Sequence, residues 1–314
     1  MSVDTVSIRS DSSQGTVVVT GASTGIGRAC ALSLDALGFW VFAGVRKSGD
    51  GNSLRRASSA RLSPLFIDVT DERSITAAAE TVSREVGDAG LVGLVNNAGV
   101  AIPGPLEYLL LEELRRQLEI NLVGQLAVTQ AFLTLLRKAR GRIVNISSLA
   151  GKLATPFNGA YSAAKHGMEA FSDALRMELA PWGIHVSVVE PGTIATAMPR
   201  KLLQDADTVL SNLPADGRER YGLAIETYAR TLASHAQNGS PPEVVSQAVV
   251  HALTAKTPRT RYPAGAPAGR MLALYRLLPD RLLDRVILRF LGLPRVFGAR
   301  HEPQVGREEG QSSR

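Results

Sequence analysis

Tyr161 and Lys165 stand four residues apart in the run YSAAK, within a segment of helical spacing, so their side chains fall on one face a turn apart. A tyrosine with an ordinary pKa near ~10 is a poor base at neutral pH, but a neighbouring ammonium stabilises the phenolate and lowers that value. Such a phenol can pass a proton to or from a substrate oxygen. Taken alone, the pair is more simply a Tyr and a Lys on a helix surface. Ser148 changes the balance, because it lies thirteen residues upstream of Tyr161, where the run RIVNISS ends and the chain leaves a strand. Its hydroxyl can donate or accept at the same substrate oxygen; otherwise it is a turn-forming serine. Asn121 sits among apolar residues in RRQLEINLVGQLAVTQAF, as either a buried structural amide or a member of a proton relay.

A second group of residues suits a phosphate. Thr20 to Gly27 reads TGASTGIG, directly after an apolar run and directly before a helical pattern. In a strand-to-helix turn, Gly21, Gly25 and Gly27 let backbone amides approach a pyrophosphate, whose charge the helix N-terminus favours. Ser23, Thr24 and Ile26 complete that turn. An acid at the end of the next strand would bond the 2′-hydroxyl of NAD, whereas a basic residue would pair the 2′-phosphate of NADP. Here the strand ends Val45-Arg46-Lys47, without an acid, and Arg46 offers a planar fork for phosphate. NADP(H) is therefore favoured, with NAD(H) still open. Asp68, beside Val69 at the end of the third strand, is a candidate for the adenine amino group; its plainer role is to cap the helix that begins after Thr70.

These residues need a scaffold that brings strand ends together. Strands are expected at Thr16–Thr20, Trp40–Gly44, Leu65–Val69, Gly93–Asn96, Arg142–Ile146 and His185–Glu190, with helical spacing between them, as in Ile75, Ala79, Val82 and Val86. Strands separated by helices imply an α/β fold with a doubly wound parallel sheet, and their near-uniform apolarity implies burial on both faces. Residues 1–14 read as a tail and 15–262 as the catalytic domain. Within it, 197–242 is a helical but more polar segment suited to covering a site. The Gly- and Pro-rich stretch Pro258–Gly269 marks a boundary, and 263–314 is a C-terminal extension carrying a helix over 280–291 and a frayed end.

Composition narrows the classes further. The chain has 314 residues, 45% apolar and 20% charged, which is ordinary for a soluble domain and excludes collagen-like, coiled-coil and largely disordered proteins. A single cysteine, Cys30, excludes an intramolecular disulfide and a Cys-cluster zinc site, and fits a reducing cytoplasmic compartment. The five histidines have no metal-site spacing, so no metal is expected. No signal peptide is apparent in the first residues, and no uninterrupted apolar run approaches bilayer length. Eleven Arg against five acidic residues lie between Arg259 and Arg314, so the whole net charge of +6 belongs to that end. With few aromatics interleaved, that end is a poor nucleic-acid surface. The helix over 280–291 sets Arg281, Arg285 and Arg289 against Leu282, Leu283, Val286, Ile287, Phe290 and Leu291. Such a helix suits peripheral contact with an anionic membrane, or packing on its own domain or a second subunit.

Together the chain resembles the classical short-chain dehydrogenase/reductases. The motifs TGASTGIG, NNAG (Asn96–Gly99), the Asn121 helix, Ser148, YSAAK and PGTIAT (Pro191–Thr196) occur in that family's order, from Gly15 to about Tyr262. AFSDALRMELAPWGIHVSVVEPG and PRTRYPAG look most similar to the retinol and hydroxysteroid dehydrogenase branch and its bacterial relatives. The resemblance implies a Rossmann-fold oxidoreductase with Tyr161 as general acid/base. Lys165 would lower its pKa and bind the nicotinamide ribose, Ser148 would hold the substrate oxygen, and Asn121 would hold a relay water. Asn97, with Ala98 and Gly99, would line the cofactor, and Pro191, Gly192, Ile194 and Thr196 would surround the nicotinamide and phosphates. Two departures stand out: several relatives of that branch favour NAD, and Thr24 replaces a basic residue common in NADP-using members. Leu202, Leu203, Val209, Leu210, Leu213, Tyr221, Leu223, Ile225 and Tyr228 of the cover suit an apolar, lipid-like alcohol or ketone. A 3-oxoacyl thioester reductase and a non-catalytic NADP sensor are the alternatives, and a homodimer or homotetramer is expected through helices over 114–136 and 160–179.

Overall fold

The computed structural model describes residues 14–196 and 198–294. The expected frayed end beyond 294, nearly all of the expected tail 1–14, and the side chain of Leu202 lie outside the described residues.

Valines at positions 17 to 19, all fully buried, form the middle strand of a sheet covered on both faces. That strand, β1 (Thr16–Val19), is joined by β2 (Trp40–Val45), β3 (Leu62–Phe66), β4 (Gly93–Asn96), β5 (Arg142–Ile146), β6 (His185–Pro191) and β7 (Arg261–Ala264). All neighbours are parallel, in the order β3-β2-β1-β4-β5-β6-β7. The connection reverses direction between β1 and β4, and the carboxyl ends of strands on either side of such a switch point leave a crevice.

On one face α1 (Gly25–Ala36) and α9 (Glu243–Thr254) bury Ala31, Leu34, Val245 and Val249 against Val17 and Val19. On the other, α3 (Glu72–Val86) and α5 (Gly124–Ala139) bury Ile75, Val82, Val128 and Phe132 against Val18, Leu94 and Ile143. Crossing helices α2 (Ser48–Arg56), α4 (Leu111–Leu118) and α6 (Gly159–Leu179) complete the layers. The continuous helical run Leu111–Ala139 is long and apolar enough to cross a membrane by composition, although no such run is apparent from uninterrupted apolarity. Here its apolar side is part of the core, with Phe132 and Leu136 fully buried.

Two strands differ from expectation. β3 begins at Leu62 and ends at Phe66, so Ile67 and Val69 are buried beyond the end of the ladder, not within it. Pro64 within β3 obscures the strand in the sequence, and is tolerated because β3 is an edge. β7 arises inside the Gly- and Pro-rich stretch read as a boundary, again as an edge with a proline, Pro263, and it runs across position 262.

Beyond the sheet, the cover consists of α7 (Met198–Asn212) and α8 (Ala215–Gln237), and the extension contains α10 (Ala268–Leu277) and α11 (Asp280–Phe290). These share one apolar cluster: Leu213, Ile225 and Tyr228 of the cover pack with Met271, Leu283 and Ile287 of the extension. The C-terminal helices therefore hold the roof of the site.

Burial in the sheet core sets the size of a mutational effect. Phe132→Ala, at a fully buried ring, is expected to lower stability by about 4 kcal/mol in urea unfolding. Leu110→Ala, at a side chain 70% exposed, should change it by no more than about 0.5 kcal/mol.

Candidate active site

β5 delivers the first polar group. As the strand ends, Ser148 keeps an extended backbone and caps a short turn over Leu149–Gly151, its Oγ accepting from the Ala150 amide at 3.1 Å. α6 starts at Gly159, which places Tyr161 in its first turn and Lys165 in the next. The Ser148 hydroxyl donates to the Tyr161 oxygen, so the two groups meet as the spacing suggested. Lys165 Nζ lies 5.7 Å from the Tyr161 ring centroid and donates to the Ile146 carbonyl at 2.7 Å.

Burial and neighbours pull these groups in opposite directions. Burial pushes the Tyr161 phenol above its ordinary value, while the Ser148 hydrogen bond draws it back. Burial lowers the Lys165 ammonium to about 8, and the charge of Glu169, one turn further along α6, acts against that fall. A lysine at that value keeps its proton near neutral pH but is readily perturbed.

Asn121 occupies a turn of π-helix, Glu119–Val123, between α4 and α5. Its Oδ1 accepts from the Val100 amide at 2.9 Å and its Nδ2 donates to the Val100 carbonyl at 2.8 Å. Each end of the side-chain amide thus makes one bond that clamps the chain just after Gly99.

The phosphate turn is held against β4 by side chains. Thr20 Oγ1 accepts from the Asn97 and Ala98 amides at 2.9 and 3.0 Å, and Asn97 Nδ2 donates to the Thr20 and Gly21 carbonyls, both at 3.0 Å. Gly21 and Gly25 have φ of +62° and +55°, and a Cβ on Gly21 would lie 2.7 Å from the Ala98 Cα. A Cβ on Gly27 would strike the Gly21 carbonyl and the Asn97 amide. The glycines are therefore demanded both by backbone angle and by contact. Thr24, the N-cap of α1, is exposed and makes no side-chain capping bond, and Ser23 is half-buried beside it, so the helix start faces outward with unsatisfied amides. Ile26, partly buried, packs on the core behind the turn. This donor set and its lack of room for Cβ atoms fit a dinucleotide pyrophosphate.

Arg46 and Lys47 are exposed where β2 ends. Burial would raise the Asp68 carboxyl, but hydrogen bonds from Thr70 and the charge of Arg46 outweigh it and hold the group below its ordinary value. Asp68 accepts from the amide and hydroxyl of Thr70 at 3.0 and 2.7 Å, forming a local turn. It does not cap α3: that role falls to Asp71, which accepts from the Arg73 amide at 2.9 Å. The chain after β6 crosses above the phosphate turn. There Gly192 donates to the Ala264 carbonyl at 2.9 Å, Ile194 bridges to Ser240, and the Thr196 methyl lies 3.4 Å from the place of a Cβ on Gly25.

A narrow apolar crevice, with an enclosed volume of about 10 Å³, lies between the loop after β4, the segment before α6 and the cover, lined by Pro103, Phe157, Val209, Ile225 and Tyr228 among others. Of the expected cover residues, Leu213, Ile225 and Tyr228 are buried and Val209, Leu210 and Tyr221 partly so, whereas Leu203 and Leu223 face outward. Glu107, Tyr108, Thr155, Asp216 and Arg220 carried no sequence signal, and the polar bonds of Tyr221 and Tyr228 were not foreseen. Tyr108 donates to Asp216 at 2.8 Å, Tyr221 donates to Glu107 at 2.7 Å, and Arg220 pairs with Glu107 at 2.9 Å, so polar bonds tie the loop after β4 to α8. Tyr228, raised to about 12 by burial, is hydrogen-bonded to Thr155. Contacts between segments over a hundred residues apart leave no local spacing to read.

A sequence-family model described as short chain dehydrogenase matches residues 15–207. Retinol dehydrogenase 5 of Mus musculus is 40% identical over 286 residues, covering 88% of this chain and 89% of that one. 17-beta-hydroxysteroid dehydrogenase type 6 of Bos taurus is 40% identical over 281 residues, covering 87% of each. Among solved structures, a short-chain dehydrogenase from Streptomyces avermitilis superposes with a TM-score of 0.71 at 29% identity, over 89% of this chain and 96% of that one. Another from Burkholderia cenocepacia, in complex with NADP, gives 0.66 at 26% identity, over 90% and 98%. Sequence, sheet order and the hydrogen-bonded serine and tyrosine agree: the chain belongs to the short-chain dehydrogenase family and is an NAD(P)-dependent oxidoreductase acting on CH–OH groups.

Proposed function

We propose that this enzyme interconverts an apolar, lipid-like alcohol and its ketone or aldehyde, with NADP(H) as the preferred dinucleotide and Tyr161 as the general acid/base. The observation that carries the reading is the Ser148–Tyr161 hydrogen bond, with the Lys165 ammonium beside the ring. The relatives named for retinol and hydroxysteroids support the substrate class.

When bound, the dinucleotide supplies a nicotinamide able to exchange hydride with a substrate carbon. The α1 N-terminus and the glycine turn would hold its pyrophosphate, Arg46 would pair the 2′-phosphate, Asp68 would meet the adenine, and Pro191 to Thr196 would line the nicotinamide half. In oxidation, Ser148 holds the substrate oxygen and Tyr161, as phenolate, takes its proton; in reduction the protonated Tyr161 returns one. Lys165 stabilises the phenolate and binds the ribose, and the main chain at Asn121 carries the relay to solvent. The apolar lining orients a substrate with few polar groups.

Two wider contacts belong to the same reading. Val123, Phe171 and Met177 are exposed large apolar side chains on the α5–α6 side, suited to a second copy in a homodimer or homotetramer. On the extension, Leu277 and Leu282 are 78% and 44% exposed between the exposed Arg276, Arg281, Arg285 and Arg289. That surface suits peripheral contact with an anionic bilayer, from which a lipid-like substrate would be drawn.

Tyr161→Phe should lower kcat for retinol or a hydroxysteroid by about a thousandfold and leave NADPH affinity unchanged in fluorescence titration. Unaltered turnover, or faster turnover of a 3-oxoacyl thioester by the native enzyme, would overturn the assignment. Arg46→Ala should weaken NADPH binding by about tenfold or more while NADH binding stays constant, because only the former carries the 2′-phosphate. Replacing Arg281, Arg285 and Arg289 together with Ala should abolish co-sedimentation with phosphatidylserine vesicles, without affecting turnover of a soluble substrate.

A further inference from the structure

Behind the catalytic pair lies a cluster of charges that the reaction as described does not use. Glu169 is buried, its side chain 4% exposed, one turn beyond Lys165 on α6. Its Oε2 is 2.9 Å from Lys152 Nζ, on the chain just after β5, and 3.2 Å from Arg261 Nε on β7. Arg261 also reaches Asp173 Oδ2 on α6 at 2.7 Å and Glu190 Oε1 on β6 at 3.7 Å. Asp173 is shared with Arg176 at the rim, and Arg276 of α10 acts on Glu190 from further away. Two cations, one just after β5 and one on β7, therefore converge on one carboxylate of the helix bearing the catalytic pair, with Glu190 of β6 opposing it from behind Arg261.

The other oxygen of that carboxylate, Oε1, is buried without a hydrogen-bond partner, and so is Ser147 Oγ. Both residues border Gly151: a Cβ there would lie 2.6 Å from Ser147 Oγ, 3.1 Å from Glu169 Cγ and 3.2 Å from the Lys165 carbonyl. Glu169 thus has one oxygen anchored by two cations and the other free of direct bonds, in low-dielectric surroundings beside the backbone of Lys165. Charges separated by a helical turn inside a protein interact far more strongly than across water. Among the described residues Lys165 itself hydrogen-bonds only a neutral carbonyl, that of Ile146, and its nearest carboxylate along α6 is Glu169. Without that carboxylate Lys152 would lose its ion-pair partner beside Lys165, while Arg261 would keep Asp173 and Glu190.

We propose that Glu169 is a positioning residue for the reaction: anchored by Lys152 and Arg261, its charge keeps Lys165 in the ammonium form and so sets the pH at which Tyr161 exchanges its proton. The proposal rests on Tyr161 and Lys165 carrying the proton transfer. It also assigns Lys152 a sign. Lys152 orients the carboxylate but opposes the Lys165 charge, so removing Lys152 and removing Glu169 should act in opposite directions.

The test is the pH profile of kcat for alcohol oxidation by the full-length enzyme at saturating cofactor, in native protein, Glu169→Gln, Glu169→Asp and Lys152→Met. The rising limb of the profile reports formation of the Tyr161 phenolate. In Glu169→Gln it should move up by about one pH unit, so that kcat falls about tenfold on the limb and recovers at the alkaline plateau. In Lys152→Met it should move down, and Glu169→Asp should restore the native position. A role confined to holding the fold predicts something else: equal loss of kcat at every pH, or the same direction of change in both variants. Either result, or an unmoved limb in both, overturns the proposal. If Glu169→Gln does not give a folded protein by circular dichroism, Lys152→Met decides alone, and anything other than a downward shift overturns it. Tyr161→Phe in parallel separates the two levels: an inactive Phe variant with unmoved limbs removes only the role of Glu169, whereas an active one removes the catalytic pair.

Discussion

An ammonium taken out of water beside a phenol is an unfavourable arrangement, and much of this molecule is organised around tolerating it. Lys165 is 4% exposed, and burial lowers its proton affinity by itself. Its stability in that place comes from the carbonyl at the end of β5, from the helix that sets it one turn from Tyr161, and from a carboxylate further along the same helix. Those groups sit on β5, inside the sheet, and on α6, packed against β6, so the catalytic geometry is held by the core. A loop-borne lysine would turn towards solvent and recover its hydration.

The same dependence on the core explains what the sequence discloses and what it hides. The glycine turn, Ser148 and the Tyr161–Lys165 pair were legible because their chemistry depends on short-range geometry: a strand end, a tight turn and one helical repeat. The five inner strands were legible because burial on both faces leaves largely apolar runs. The two edge strands, β3 and β7, were shifted or missed because each has one neighbour and carries a proline that a central strand would reject. Asp68 shows a finer limit. An aspartate near a helix start reads as a cap, but Asp71 three residues later has the matching backbone and takes that role.

Long-range polar contacts were illegible for another reason. Glu107, Tyr108, Asp216 and Arg220 are unremarkable where they stand in the chain, and acquire meaning only when the loop after β4 and α8 face one another. Asn121 was legible as a polar residue in an apolar helix, yet its bonds to Val100 depend on the π-turn that rotates it towards the loop. Chemistry could be read where neighbours in space are neighbours in sequence, and not where the fold alone makes them so.

The shared apolar cluster of cover and extension bears on how such an enzyme can change. Because Leu283 and Ile287 of α11 pack into the same cluster as Ile225 and Tyr228 of α8, the two segments cannot drift independently in sequence. A library intended to alter which molecules are accepted would have to vary both helices together, leaving the sheet untouched. Trimming the chain at the last strand, a natural economy when choosing an expression boundary, would remove half the support of the roof while leaving every catalytic side chain in place.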